Sequence, residues 1–287
     1  MISFFEELFC NADPAATFTV ANGFSAKIHS NSYPCIVNYY GKNDEDLTKN
    51  EEDLTKNEED LTKNEEDLTK NEEVLTKNEE DLTKNIEYFD KFLAPTKLPI
   101  IYRVPYTYKS LDLALKSTHH TENKKYIVKI KNIDAMRREL FSFADFTSNG
   151  VHIEKTLQTF WLKAYSEFKQ MKTEDSTIFM QNMNTAYNTF VYFTLMIEDE
   201  PFGLAYIMLE RAHVVIIDIV INEKRRGNSY GYRLLMSILT YALREGAERA
   251  LAQIHENNKS AIRLFDKIGF EDGYYFLNRM KEQYDNE

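Results

Sequence analysis

The chain has little cysteine, no long apolar run and no surplus of positive charge, and each shortage removes a class of protein. Two cysteines in 287 residues, Cys10 and Cys35, supply no disulfide framework and sit at no metal-ligand spacing, so no metal is expected and a reducing cytoplasm is the natural setting. No window approaches the roughly 18–20 unbroken apolar residues that a membrane span requires. The opening MISFFEELFC carries two acids and no base, which does not read as a secretory signal. There is no motif for nucleotide hydrolysis. What is present is 43% hydrophobic and 13% aromatic content, enough core for one large domain or two small ones.

The net charge of −11 belongs to one segment. Residues 43–84 hold 17 acids and 6 lysines, which leaves 29 acids and 29 bases elsewhere. The body is therefore neutral and has no field suited to nucleic acid. The segment is a tandem heptad: NDEDLTK, NEEDLTK three times, NEEVLTK and NEEDLTK. The following NIEYFDK keeps the register, with Phe89 at the leucine position. A coiled-coil seam needs two apolar positions per heptad, and only one is present. Pairs such as Glu52 and Lys56 favour helix by a few tenths of a kcal/mol, whereas Asn, Asp and Thr in every copy oppose it. A single helix of this length would run about 63 Å at 1.5 Å per residue, so the chain must turn back if both ends join one body. The expectation is a partly helical acidic arm. It serves self-association or partner binding, or it is only a solvated insert.

Outside the arm, residues 1–130 read as a smaller α/β region. Helix is expected at Ser3–Cys10, 86–92 and 110–116, and strand at 24–29, 35–40, 100–104 and 125–130, from apolar alternation such as KYIVKI. Residues 134–287 read differently. Two helices come first, the earlier one over 154–170 with Leu157, Phe160, Trp161, Ala164 and Phe168 on one face, the later over 175–183. Three strands follow at 190–197, 202–209 and 214–221. Then come helix 231–245, strand 249–255, helix 259–268 and strand 274–280.

Two stretches carry the functional signal. Residues 216–234 read IIDIVINEKRRGNSYGYRL: an apolar strand, a basic turn and an amphipathic helix. Residues 252–270 read AQIHENNKSAIRLFDKIGF: a strand end, an Asn-rich turn and a helix closing in Gly-Phe. Together, in this order, they resemble the acyl-CoA-binding core of the GNAT N-acetyltransferase superfamily. The first matches Arg/Gln-x-x-Gly-x-Gly/Ala at Arg226 and Gly231, with Ser229 in place of the first glycine. The second matches Asn-x-x-Ala-x-x-Leu-Tyr-x-x-x-Gly-Phe at Asn258, Ala261, Leu264, Gly269 and Phe270, with Phe265 in place of the tyrosine. The resemblance covers about half the chain, roughly residues 140–283. It implies an α/β (α+β) GNAT acyl-CoA N-acyltransferase fold, a mixed, mostly antiparallel sheet flanked by helices. The strand–helix–strand at the end of the N-terminal region loosely echoes the end of such a domain, so that region reads as a degenerate half.

The resemblance also implies a chemistry: direct transfer of an acetyl group from acetyl-CoA to a primary amine. The pyrophosphate needs clustered N–H groups at a helix N-terminus, which the turn Arg226, Gly227, Asn228, Ser229, Tyr230, Gly231 and the helix opening at Tyr232 would supply. A serine at 229 in a left-handed conformation costs about 1 kcal/mol. Ile219, Val220 and Ile221 would present backbone groups to the pantetheine arm. Asn258 would cap its helix and touch the same arm.

Phe265 cannot protonate the departing thiolate. Tyr230, Tyr274, Tyr275 or water would serve, or CoA leaves as a thiolate. Gln253 stands where some ribosomal-protein acetyltransferases carry a Glu base, so the candidate bases are Asp218, His255, whose side chain has a suitable ordinary pKa, and Glu256. The acceptor pocket would lie around Trp161, Tyr165 and residues 273–277. The acceptor is a small-molecule amine or a peptide N-terminus. Two other readings stay open: a non-catalytic acyl-CoA-binding protein, and a scaffold whose heptad arm mediates interaction.

Overall fold

The computed structural model describes residues 1–13, 17–21, 23–28, 35–39, 79–141, 143, 150–186 and 188–281. The heptad copies over 43–78 lie outside these residues. In chain order the first elements are α1 (Ile2–Asn11), β1 (Thr17–Ala21), β2 (Phe24–Ile28), β3 (Cys35–Tyr39), α2 (79–93), β4 (Ile100–Pro105), α3 (Lys109–Ser117), β5 (Thr121–Asn132) and α4 (Arg137–Phe141). Then follow β6 (Val151–Glu154), α5 (Thr159–Lys169), α6 (Thr173–Thr185), β7 (Phe190–Ile197), β8 (Glu200–Glu210) and β9 (His213–Ile221). The last are α7 (Tyr230–Arg244), β10 (Arg249–His255), α8 (Lys259–Lys267) and β11 (Glu271–Lys281).

The chain divides into two compact units: Met1–Ala16 with Tyr126–Tyr274, and Thr17–Lys125 with Tyr275–Glu287. From sequence the boundary is expected at 130–134. The contacts instead divide β5 and β11 part-way along and group α1 with the later residues.

The second unit is a mixed sheet. β1, β2 and β3 run antiparallel in turn, β3 pairs parallel with β4, and the end of β11 pairs antiparallel with β4, Phe276 opposite Pro105 through Lys281 opposite Ile100. Helix α2 connects into β4, and it buries Leu82, Ile86, Phe89 and Leu93, one stripe at three- and four-residue spacing. Residues 79–84 thus belong to a packed helix and not to the arm, which corrects the expected end of the arm at 84. Leu82 of the last NEEDLTK copy becomes core because it continues the stripe set by NIEYFDK. A polar cluster ties the unit together. Asp90 accepts from Tyr102 Oη at 3.0 Å, His120 Nε2 at 3.3 Å and Lys281 Nζ at 2.9 Å.

The first unit repeats that pattern. β6, β7, β8 and β9 run antiparallel in turn, β9 pairs parallel with β10, and residues 126–132 of β5 pair antiparallel with β10. Runs such as HVVIIDIVI favour strand because β-branched side chains fit a pleated surface. Both faces are covered. Ala205, Ile207 and Ile216 share a cluster with Leu235, Ile238 and Leu239 of α7. On the opposite face Tyr206 meets Trp161, Tyr165 and Phe179 of α5 and α6. Trp161, expected near the acceptor, is instead core: it is 1% exposed and its Nε1 donates to the Phe193 carbonyl at 3.0 Å. The short strands β1 and β6 and the one-turn α4 were not expected, since four or five residues give too little periodicity to read.

Candidate functional site

β9 and β10 begin as a parallel pair and then part. They are paired from His213 opposite Arg249 to Ile216 opposite Ala252, and no pairing continues beyond. On its other edge β9 keeps to β8 but skips Ile217, which lies between the Ile216–Ile207 and Asp218–Tyr206 partners. Such a bulge bends the strand that carries it. Between the parted strands opens a cavity of ≈ 720 Å³. Ile219, Val220 and Ile221 line one wall, and Gln253, Ile254 and His255 the other.

The N-terminus of α7 stands at this opening. Gly227 takes φ 91° and Ser229 takes φ 60°, ψ 14°, both left-handed. The first bond of the helix runs from Arg233 N–H to the Ser229 carbonyl at 3.0 Å. The N–H groups of Tyr230, Gly231 and Tyr232 come before it, with no acceptor within the helix. A Cβ on Gly231 would lie 3.2 Å from Leu264 Cδ2 and 3.8 Å from Ile221 Cγ1, so the glycine keeps this corner open. Arg225, Arg226 and Lys267 also line the cavity and add positive charge to the helix dipole. Arg225 lies 4.6 Å over the Phe202 ring, and Lys267 lies 5.1 Å over the Tyr232 ring.

Helix α8 is positioned by both its ends. Asn258 Oδ1 accepts from Ala261 N–H at 3.1 Å, a standard N-cap. At the other end Gly269, at φ 79°, donates to the Asp266 carbonyl and Phe270 N–H donates to the Phe265 carbonyl. This is the Schellman arrangement, which brings the residue past the glycine against the last helical turn. Phe265 and Phe270 are accordingly in edge contact, with ring centroids 4.8 Å apart. The Gly-Phe signature is therefore a helix stop that also turns Phe265 toward the cavity.

At the inner end, beside the bulge, sits Asp218. Its Oδ2 accepts from Tyr165 Oη at 2.7 Å and from Lys169 Nζ at 2.8 Å. Burial first, then the neighbouring Tyr206 and the Asp218 charge, hold the Tyr165 hydroxyl well above the ordinary phenol range, so it remains a donor. Burial also pushes Tyr192, on the same face, up to about 12. His255 lines the cavity, but its Nδ1 accepts from Asn257 N–H at 3.1 Å, and its ring stands edge-on to Tyr126 at 5.4 Å.

The structure thus gathers Asp218, Ile219, Val220, Ile221, Arg226, Gly227, Ser229, Tyr230, Gly231, Tyr232, His255, Asn258 and Phe265 around one cavity. Other candidates fall outside its lining. Asn228 Nδ2 braces the turn by donating to the Arg225 carbonyl at 3.2 Å. Glu256 offers its backbone carbonyl to Lys259 Nζ. Tyr274 is buried, and its hydroxyl donates to Glu6 Oε1 at 2.5 Å. Tyr275 belongs to the other unit, with its ring 6.0 Å from Tyr106. Of the tyrosines weighed for thiolate protonation, Tyr230 is the one that lines the cavity. Lys169, Arg225 and Lys267 were missed. Arg225 is visible in the basic run EKRR, but Lys169 has no local signal, because its partner lies 49 residues away. Among the described residues no group of three or more His, Cys, Asp or Glu side chains is arranged to hold a metal ion.

Residues 155–270 match the family model described as "Acetyltransferase (GNAT) family". No curated protein matches the chain. Among solved structures, a GCN5-related N-acetyltransferase from Kribbella flavida aligns with a TM-score of 0.60 at 10% identity, over 98% of this chain and 94% of that one. A GCN5-related N-acetyltransferase from Sphaerobacter thermophilus aligns at 0.51 and 11% identity, over 90% and 76%. A tandem GNAT protein from the clavulanic acid biosynthesis pathway aligns at 0.51 and 12% identity, over 66% and 65%. At these identities the likeness speaks to the fold. Residues 155–270 are thus similar to the GNAT acetyltransferase family, and the fold is the GNAT fold of these structures.

Proposed function

We propose that this protein is an N-acetyltransferase that moves an acetyl group from acetyl-CoA to a primary amine, in a reducing cytoplasm where Cys10 and Cys35 stay free thiols. The observation that carries the reading is the cavity between β9 and β10, which opens under the N-terminus of α7. A pantetheine arm is long, narrow and rich in amides, and the facing edges of two strands that have parted from each other offer it backbone partners. A diphosphate suits the N–H groups of Tyr230, Gly231 and Tyr232 with Arg225, Arg226 and Lys267 nearby.

Asp218 is the base of this proposal. Tyr165 and Lys169 both engage Oδ2, which fixes the orientation of the group. Oδ1 then takes a proton from the acceptor amine, a contribution of about 100- to 10,000-fold in such steps. Protonation of the departing sulfur falls to Tyr230 or to solvent, since Phe265 has no hydroxyl and Tyr274 is engaged with Glu6.

The test has two stages. Thermal-shift titration with acetyl-CoA and longer acyl-CoAs reads the donor, and a ligand at a hundredfold excess over its Kd stabilises by about 2.7 kcal/mol. Release of free CoA thiol across a panel of amines then reads transfer, and Asp218→Asn is expected to abolish release while donor stabilisation persists. Saturable stabilisation with no release from any amine would favour a non-catalytic acyl-CoA-binding protein, the reading that Phe265 supports.

A further inference from the structure

The described ammonium partner of the Asp218 carboxylate belongs to the protein itself. Lys169 ends α5, Nζ lies 2.8 Å from Asp218 Oδ2, and its side chain is 43% exposed. It lines the same cavity as Ile216–Ile221 and Gln253–His255, at the end where the strands first part. That is where the reactive end of an arm threaded inward from the α7 N-terminus arrives. Lys169 therefore presents a primary amine, beside a carboxylate able to take its proton, at the point where the thioester would stop. Nζ also lies 5.9 Å from the centre of the Tyr165 ring, which steadies the chain from one side.

We propose that Lys169 is a self-acetylation site. This rests on the reading of the cavity as an acyl-CoA site. The ammonium of Lys169 gives one proton to Asp218. The freed lone pair of Nζ forms the N–C bond at the thioester carbonyl, and the C–S bond breaks with its electron pair on sulfur. The second proton from nitrogen goes to the thiolate, and the proton on Asp218 passes to solvent, so one free CoA thiol and one proton are released for each acetyl-lysine. The product amide carries no charge. It leaves Asp218 with Tyr165 alone and exposes the carboxylate to an incoming amine.

The test uses the full chain. The purified protein is incubated with deuterium-labelled acetyl-CoA, and acetylation of Lys169 is followed by peptide mass spectrometry beside Lys163 on α5 and Lys172 just past its end. Lys169 is expected to gain label at least about tenfold faster than either, the minimum that held proximity should give. Asp218→Asn should bring it down to their rate. A second readout needs no turnover: CoA without an acyl group should shield Lys169, but not Lys163 or Lys172, from acetic anhydride. If acetyl-CoA stabilises the protein yet Lys169 labels no faster than its neighbours, or CoA leaves it unshielded, the modification is disproved and the donor reading stands. If acetyl-CoA gives no stabilisation, both fall.

Discussion

Gly231 offers the sharpest test of the donor site, because its missing side chain leaves the corner open. A Cβ there would sit 3.2 Å from Leu264 Cδ2, a contact the end of a leucine relieves by moving a few tenths of an ångström, so alanine should be tolerated. Valine adds two methyl groups beyond that Cβ, between the Leu264 and Ile221 walls. Valine is a better helix former than glycine, so the fold should hold while the corner fills. Losing one backbone N–H contact to a charged phosphate oxygen costs about 1.5–3 kcal/mol, or about tenfold to a hundredfold in Kd. At a ligand concentration a hundredfold over the original Kd, stabilisation should drop from about 2.7 to about 1.4 or even 0.4 kcal/mol. Thermal shift with acetyl-CoA reads this directly on the series Gly231→Ala and Gly231→Val, with unliganded melting as the folding control. An unchanged shift in a folded Gly231→Val protein would mean that the donor does not approach this turn.

Other expectations follow from particular contacts. Ser229→Gly removes a left-handed serine, worth about 1–2 kcal/mol of strain, against about 0.5–1 kcal/mol for the added freedom of glycine in the unfolded chain. Stability should rise slightly or hold in denaturant titration, with donor binding kept or tightened; a clear loss would contradict the cradle. Trp161→Ala should cost about 3–5 kcal/mol in the same titration, and a cost under 1 kcal/mol would show that its stacking on Tyr165 at 4.7 Å is not core. In the other unit, burial pushes the Asp90 carboxyl up, but hydrogen bonds and charge from His120 and Lys281 outweigh it and hold it below its usual 3.8. Asp112 is held low in the same way, burial again being outweighed by Arg279 and Lys116. With a depressed folded pKa, stability is fully present above 3.8 and lost as pH falls through the lower folded value. Melting temperature followed down through that window should fall less steeply in Asp90→Asn, and identical slopes would refute the assignment.

The sequence disclosed what local signals encode. Strand β10 was expected at Arg249–His255 and runs over those residues, and the cap of α8 follows from Asn258 and Gly269, within one helix length. The basic turn before α7 was visible for the same reason. What stayed hidden depends on partners far along the chain. Tyr274 looked available until Glu6, 268 positions away, claimed its hydroxyl. Asp218 was named as a candidate base, but nothing in KAYSEFKQ marks Lys169 as its partner. The parting of β9 from β10 is likewise a matter of pairing that stops, which side-chain pattern does not record.

The two units trade chain. The sheet around β4 is finished by residues 275–281, while the sheet around β10 borrows 126–132 and is joined by the opening helix. On the ribosome the earlier unit must wait, one strand short, until residues 275–281 have been made. A protease nick or a truncation near residue 130 would not yield two smaller proteins; it would leave both sheets with an open edge seeking a substitute strand, and the nearest identical one lies on a second copy of the chain.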